Sequence, residues 1–383
     1  MTPGVDLEIL TVAVYPRIGG MTSWIDRIIR RLSQFGWNIR LVAVSDRLSE
    51  AYETAGCEIV HIPTAPVGMS DGLMDKVFRW RGVQQKLSRH ATQTSPPRLL
   101  LSDSTPGVIR AASRYARKAG VPWVVLAGGN IFSETRSQFL APLLHSQIRT
   151  DLLQAAKVFV DGPDLVDSLE VEGIASGKIE IQYPGINLEE FPERPMQARY
   201  YPPRDETLRL GWHGRHTEPN GVLRFIDLAQ HCRKGISRFC GDGPLREQAV
   251  LKLSELGHPE WYLGPLECHQ IPGFLGEADC GLYPLERMAG VPRVLMEAMA
   301  AGQAALTYPV GAVNEADRKR GQWLPVPRCG RHAGKAHILQ GHPELMERLG
   351  RSARETIRQN WSEEHLLRQF AVRLEEISRP CSP

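Results

Sequence analysis

The sequence predicts an α/β protein built from two doubly wound domains in tandem. Three observations predict it. Short apolar runs alternate with amphipathic stretches through the first half. A proline-rich, poorly periodic stretch, with Pro192, Pro195, Pro202 and Pro203, then interrupts the pattern, and the same alternation restarts beyond it. Strands that read as continuous apolar runs and are separated by helices indicate a parallel sheet covered on both faces. A chain of 383 residues is long enough for two such domains.

Each element follows from its local pattern. Leu7 to Val14 is a short apolar strand. Trp24, Ile25, Ile28, Ile29, Leu32 and Phe35 then share one helical face, with Thr22 or Ser23 able to cap its start and Gly36 its end. Ile39–Val44, Leu99–Leu101, Val121–Leu126, Lys157–Val160 and Lys178–Gln182 repeat the apolar theme. Past the proline-rich stretch, Leu208–Trp212, Ile236–Cys240 and Cys280–Tyr283 read as strands. Val222–Cys232, Leu245–Leu256 and Val294–Ala301 read as helices. The division expected is 1–190, a linker at 191–206, a second domain at 207–361, and a terminal helix at 362–383 that packs back on the first domain. Ligands of such sheets bind outside the carboxyl ends of the strands, here in a cleft between the domains.

Composition removes several function classes. The formal net charge of +3 creates no strongly basic field, so no nucleic-acid partner is expected. No run of about 18 apolar residues exists to span a membrane. The opening MTPGVDLEIL lacks a basic start followed by an apolar core, so no secretory signal is expected. Cys57, Cys232, Cys240, Cys268, Cys280, Cys329 and Cys381 are scattered singly, with no CxxC pair. That usage points to reduced thiols in the cytoplasm rather than disulfides or a zinc site. No cluster of His, Cys, Asp or Glu has metal-ligand spacing.

Three glycine-bearing loops follow strands and precede helices: Ile18-Gly19-Gly20, Gly214-Arg215 through Gly221, and Gly241-Asp242-Gly243-Pro244. Glycine there lets backbone N–H groups approach an anion at a helix N-terminus. Plain turn geometry explains each loop equally well when taken alone. None has Rossmann or Walker spacing, which argues against NAD binding and P-loop ATP hydrolysis.

Taken together and in order, the motifs are more specific. They are PRIGGMTSWIDRIIRRLSQFGWNIRLVAV, IEIQYPGINLEEF, GWHGRHTEPNGVLRFIDLA, FCGDGPLREQ, YLGPLECHQIPGFLGEADCGLYP and GVPRVLMEAMAAGQAALTYPVGAVNE. Over nearly its whole length the chain resembles the family-four retaining glycosyltransferases, with the GT-B fold of two Rossmann-like domains facing across a cleft.

The resemblance implies a metal-independent transfer of a sugar, with retention, from a nucleotide diphosphate sugar to an acceptor hydroxyl. No cofactor is implied beyond that donor, and UDP-sugars are favoured. Arg215 would pair with the diphosphate, since its fork suits two phosphate oxygens. Glu297 would accept hydrogen bonds from the ribose hydroxyls, with Val294 and Leu295 just ahead of it near the nucleotide. Gly19 and Gly20 would admit the phosphate or the transferred sugar. Gly214, Gly241, Gly243 and Gly290 would shape the donor loops, and Leu263 and Gly264 would lie near the base. Asp103 and Asn130 would face the reacting groups in the first domain.

Three departures stand out. Asn220 occupies the place of a family lysine, Ala289 that of a glutamate, and Gly128 that of a histidine, with Gly129 and Asn130 lining its place. Glu286 is near enough to stand in for the lost glutamate if the loop is one residue longer. His213 and His216, beside Arg215, would add charge to the phosphate site, or are polar loop histidines.

Residues 74–118 are rich in basic side chains. Lys76, Arg79, Arg81, Lys86 and Arg89 accompany Phe78 and Trp80, and Arg110, Arg114, Arg117 and Lys118 follow. Such a surface fits peripheral contact with an anionic membrane or a phosphorylated acceptor, or is a solvated basic face. Two other functions stay open beside transfer: a nucleotide-sugar epimerase, and a decayed transferase that only binds nucleotide or a partner.

Overall fold

The computed structural model describes residues 4–15, 20–53, 55–64, 73–128, 131, 141–192, 208–231, 235–286, 292–307, 324–325 and 342–379. They form two compact units. The first comprises Met1–Pro184 together with Leu366–Pro383, and the second Gly185–His365.

The first unit is a seven-stranded parallel sheet. Its strands are β1 (Leu7–Thr11), β2 (Ile39–Ser45), β3 (Glu58–Pro63), β4 (Leu99–Asp103), β5 (Trp123–Ala127), β6 (Lys157–Val160) and β7 (Ile179–Ile181). They lie in the order β3-β2-β1-β4-β5-β6-β7, so the winding reverses between β1 and β4. The helices are α1 (Gly20–Gln34), α2 (Leu73–Gln93), α3 (Pro106–Ala119), α4 (Ala141–Leu152) and α5 (Pro163–Val171).

Alternate strand residues feed opposite faces, the period of two expected of a pleated strand. Leu10, Val42, Leu100, Val125 and Val158 pack with Val83 and Leu87 of α2 and Val108 and Ala112 of α3. Ile9, Leu41, Leu101, Leu126 and Phe159 pack with Trp24, Ile25 and Ile28 of α1. The α1 face also receives α11 (Glu363–Ser378), through Leu367, Phe370 and Leu374. The Phe159 and Phe370 rings meet edge to face at 4.9 Å. Helix α1 begins at Gly20, ahead of the expected caps, so Thr22 lies inside its first turn and is buried.

An ionic row, buried at Glu8 and Arg40 and exposed at Glu58, crosses the strands. Glu8, Arg40 and Glu58 are register neighbours on β1, β2 and β3. Arg40 Nη1 donates to Glu8 Oε2 and Arg40 Nε to Glu58 Oε2, both at 2.9 Å. His90 of α2 reaches the other Glu8 oxygen at 3.3 Å.

The second unit is a five-stranded parallel sheet. It consists of β8 (Leu208–His213), β9 (Gly235–Cys240), β10 (Cys280–Tyr283), β11 (Ala304–Thr307) and β12 (Leu324–Pro325), in the order β12-β11-β10-β8-β9. Its helices are α6 (Val222–Ala229), α7 (Arg246–Leu256), α8 (Ile271–Glu277), α9 (Arg293–Ala300) and α10 (Pro343–Asn360). The unit begins earlier than the proline-rich stretch at 191–206, most of which lies outside the described residues. The reason is local. Ile186 is fully buried in the core of this unit, its N–H donates to Trp361 O at 2.9 Å, and its carbonyl accepts from Glu363 N at 3.0 Å.

The basic stretch divides by burial. Trp80, Val83, Leu87 and His90 form the buried stripe of α2, so Trp80 is a core residue. Phe78 is 60% exposed, and Arg81, Arg89, Arg114, Arg117 and Lys118 are exposed. Arg110 is taken up by Asp151 at 2.8 Å. No helix among the described residues is long and apolar enough to cross a membrane.

Candidate functional site

Three loops meet at the carboxyl ends of β8 and β9 in the second unit. The first leaves β8 through Gly214, Arg215 and His216. The second leaves β9 through Gly241 and Gly243. The third is Tyr262–Gly264. Gly241 N donates to Gly264 O at 3.0 Å, Tyr262 Oη to Gly241 O at 2.9 Å, and His216 N to Asp242 O at 2.8 Å. A β-carbon on Gly241 would stand 1.9 Å from Gly214 O, and one on Gly243 2.7 Å from His216 O. Both glycines also have positive φ. They are therefore required by the packing of one loop on another, whatever the loops bind.

The same packing presents the cation of Arg215. The Arg215 carbonyl accepts from Thr217 N at 2.8 Å and from Asn220 Nδ2 at 2.7 Å, so its backbone is clamped. Its side chain is exposed and its guanidinium has no partner among the described residues. Asn220, at the place of the family lysine, thus brings no charge but holds the residue that does.

Beside this loop, Glu297 of α9 is the acceptor of a buried relay. Tyr283 is fully buried at the end of β10, and burial keeps its phenol protonated well above the usual tyrosine range. Its hydroxyl lies 2.9 Å from His213 Nδ1. The phenol donates there, which leaves the imidazole proton on Nε2, 2.9 Å from Glu297 Oε2. Arg293 Nε donates to Glu297 Oε1 at 2.7 Å. Burial alone would raise the Glu297 pKa, but the hydrogen bond from His213 and the Arg293 charge hold it below the ordinary carboxylate value. Glu297 is therefore an oriented carboxylate with lone pairs left over for further donors.

Neither histidine side chain is exposed beside Arg215. His213 is held inside the relay between Tyr283 and Glu297. His216 is fully buried among Trp212, Phe239 and Tyr262, and burial pushes its pKa down.

The other expected residues divide. Val294 lies against Gly214, 3.4 Å from where a β-carbon would stand. Val294 and Leu295 lie in the first turn of α9 rather than in a loop, and the Leu295 side chain belongs to the core. The Leu263 side chain is 40% exposed, beside Gly264 and Gly241. Glu286 is engaged by Arg224 of α6 at 2.6 Å, so it is not a free stand-in for the lost glutamate.

In the first unit, Gly20 opens α1. Asp103, expected to face an acceptor, is instead 1% exposed. Its oxygens accept from Thr11 Oγ1 at 2.7 Å, Val12 N at 2.8 Å and Thr105 N at 2.8 Å, which ties β1 to β4 and to the start of α3. Gly19, Gly129, Asn130, Ala289 and Gly290 lie outside the described residues. No local pattern singles out Tyr283, because its tie to His213 spans 70 positions.

Comparison with known proteins adds the family. Residues 19–185 match the glycosyl transferase 4-like domain and residues 207–333 the glycosyl transferases group 1 domain. No curated protein matches the sequence. Among solved structures, HepE of Anabaena in complex with UDP is 15% identical at a TM-score of 0.74, covering 97% of this chain and 100% of that one. Sucrose-phosphate synthase of Thermosynechococcus elongatus is 15% identical at 0.74, covering 97% and 99%. The catalytic domain of starch synthase IV of Arabidopsis thaliana, bound to ADP and acarbose, is 12% identical at 0.73, covering 98% and 100%. These likenesses run the length of the chain and carry the fold, while the two domain matches in tandem carry the family: the chain belongs to the glycosyltransferases, with a glycosyl transferase 4-like domain followed by a group 1 domain on the GT-B fold.

Proposed function

We propose that the protein transfers a sugar from a nucleotide diphosphate sugar to an acceptor hydroxyl with retention and without a metal. The observation that carries this reading is the pairing of an unpartnered, backbone-clamped Arg215 with an ionised, oriented Glu297 at the same loop cluster. Arg215 takes the diphosphate and Glu297 the ribose hydroxyls. Gly214, Gly241, Gly243, Val294, Leu263 and Gly264 surround the nucleotide, and Gly19, Gly20 and Gly290 complete the donor loops. Asn220 acts by holding Arg215, and Asn130 faces the reacting sugar. In the transfer, the bond from the anomeric carbon to the phosphate oxygen breaks. The acceptor oxygen bonds the same face, and its proton goes to the departing phosphate. The protein's part is positioning and charge stabilisation. A UDP-sugar is the favoured donor, since HepE has been solved with UDP and with UDP-glucose. The exposed Phe78 and its basic neighbours supply peripheral contact with an anionic membrane.

Calorimetry with UDP tests the donor site. Arg215→Ala, which removes an exposed side chain, is expected to weaken UDP more than uridine. Glu297→Ala is expected to weaken both by about 1–3 kcal/mol, the range for a lost charge-assisted hydrogen bond. Wild-type affinity in both variants sinks the assignment. Transfer is expected to survive EDTA; activity lost in EDTA and restored by manganese overturns the metal-free scheme. UDP binding without transfer from any donor favours the decayed-transferase reading. Donor converted without any acceptor into an isomeric nucleotide sugar favours the epimerase.

A further inference from the structure

The first unit holds a carboxylate oxygen that no described residue satisfies. Asp161 is the first residue after β6, and Gly128 the first after β5. These strands pair in parallel with Ala127 opposite Val160, so Gly128 and Asp161 continue the same row. Alternation puts both on the face of Leu126 and Phe159, the face covered by α1. A β-carbon on Gly128 would stand 3.6 Å from Asp161 Oδ2, 3.0 Å from Met21 Cε and 3.9 Å from Trp24 Cζ3. Asp161, Met21 and Trp24 thus converge on a recess whose floor has no side chain and whose glycine is exposed.

Asp161 Oδ1 is buried and receives no hydrogen bond, and the buried indole N–H of Trp24 donates none. Burial raises the Asp161 carboxyl to about 6, opposed by its own backbone N–H, with no charged neighbour contributing among the described residues. At neutral pH the group is still ionised. An unpaired, half-desolvated carboxylate is costly to keep, and such groups collect where a ligand completes them. Its position at the carboxyl ends of parallel strands is where open α/β sheets bind ligands.

We propose that Asp161 is a carbohydrate-binding residue, its carboxylate accepting a hydrogen bond from a sugar hydroxyl that enters the recess over Gly128. The hydroxyl belongs to the transferred sugar or to the acceptor. The proposal rests on the transferase reading above.

Three variants test it. Asp161→Ala and Asp161→Asn remove the acceptor charge. Gly128→Ala narrows the recess, where the nearest atom is the mobile methyl end of Met21. If the hydroxyl is the donor's, all three weaken UDP-glucose about tenfold or more by calorimetry, the scale of one hydrogen bond to a charged group, and leave UDP affinity unchanged. If it is the acceptor's, both affinities hold, and the KM rises for transfer to a panel of free mono- and disaccharides. Unchanged donor affinity together with unchanged acceptor KM overturns the proposal. Melting temperature gives an arm that needs no ligand. Asp161→Asn is expected to raise it, because an unpaired amide is cheaper to bury than an unpaired charge. A lowered melting temperature overturns the proposal, because the protein itself would then be pairing the carboxylate. Wild type that fails to bind UDP overturns the donor reading instead, and the melting arm still tests Asp161.

Discussion

Glu297 owes its ionised state to His213 and Arg293, and the Tyr283 phenol holds the imidazole that donates to it. Tyr283→Phe is expected to cost about 1–2 kcal/mol of stability, the price of leaving His213 Nδ1 without its buried donor. It should also release the tautomer, read as a change in the His213 ring nitrogen shifts by NMR; unchanged shifts would mean that the phenol does not set it. His216 supplies a pH prediction. Burial depresses its pKa, so below about pH 6.5 the unfolded chain binds a proton that the folded chain refuses. Its contribution to stability is present above that pH and is lost as pH falls toward the depressed value. His216→Leu should flatten this acid loss in thermal melts across pH; an unchanged slope would place the sensitivity elsewhere. Asp161 has the opposite sign. Its carboxyl is raised to about 6, so its penalty appears as pH rises from the unfolded value near 3.9 through 6. At this scale the sequence points to Arg215 and Glu297 through motif alone, and the structure adds that one side chain is exposed and the other an ionised carboxylate. The burial of both histidines was not legible, since it depends on Tyr283, Phe239 and Tyr262, which lie far off in the chain. Asp103 misled for the same reason: a carboxylate at a strand end reads as accessible until Thr11 and Val12 are seen to occupy it.

Elements were legible where burial on both faces writes an unbroken apolar run. Leu7–Thr11 and Trp123–Ala127 are fully buried strands and announce themselves. Strand β3 does not. Glu58–Pro63 lies at the sheet edge with partly exposed residues, so it carries no such run. Its Glu58 matters through register alone, as the third member of the row from Glu8 through Arg40. Glu8 is wholly buried and holds both Arg40 and His90. Glu8→Ala removes the carboxylate that contacts both and leaves the buried Arg40 guanidinium with the exposed Glu58 as its remaining carboxylate among the described residues. The expected cost is about 3–5 kcal/mol, as for breaking other buried pairs, read by chemical denaturation. Glu58→Ala, at the half-exposed end, should cost much less. Equal losses would show that the row does not act through burial. The element that carries the site, α9, is short, and its first turn places Val294 against Gly214 and Glu297 against His213 at once.

At the scale of the whole molecule, the chain order and the folding units disagree. The first unit is completed by α11, the last helix, although the entire second unit lies between. Leu367, Phe370 and Leu374 enter the core formed by α1 and the first sheet, and two ion pairs fasten the surface: Arg373 to Glu180 at 2.8 Å and Arg98 to Glu375 at 3.0 Å. The apolar contacts dominate, because exposed ion pairs contribute little while a buried aromatic ring contributes several kcal/mol. Phe370→Ala should therefore destabilise the first unit by about 3–5 kcal/mol, whereas Arg373→Ala should cost under about 1 kcal/mol. The two-unit division makes the effect local. In Phe370→Ala, hydrogen exchange should quicken in β1, β5 and β6 and stay at wild-type rates in β8 to β11. UDP should still bind if the proposed donor site is right, since Arg215 and Glu297 belong to the second unit. Bound UDP should in turn slow exchange in the second unit, by mass action on its folded state, without restoring the first. Exchange quickened equally in both sheets would mean that the units unfold as one, and that α11 serves the whole molecule rather than the sheet it covers.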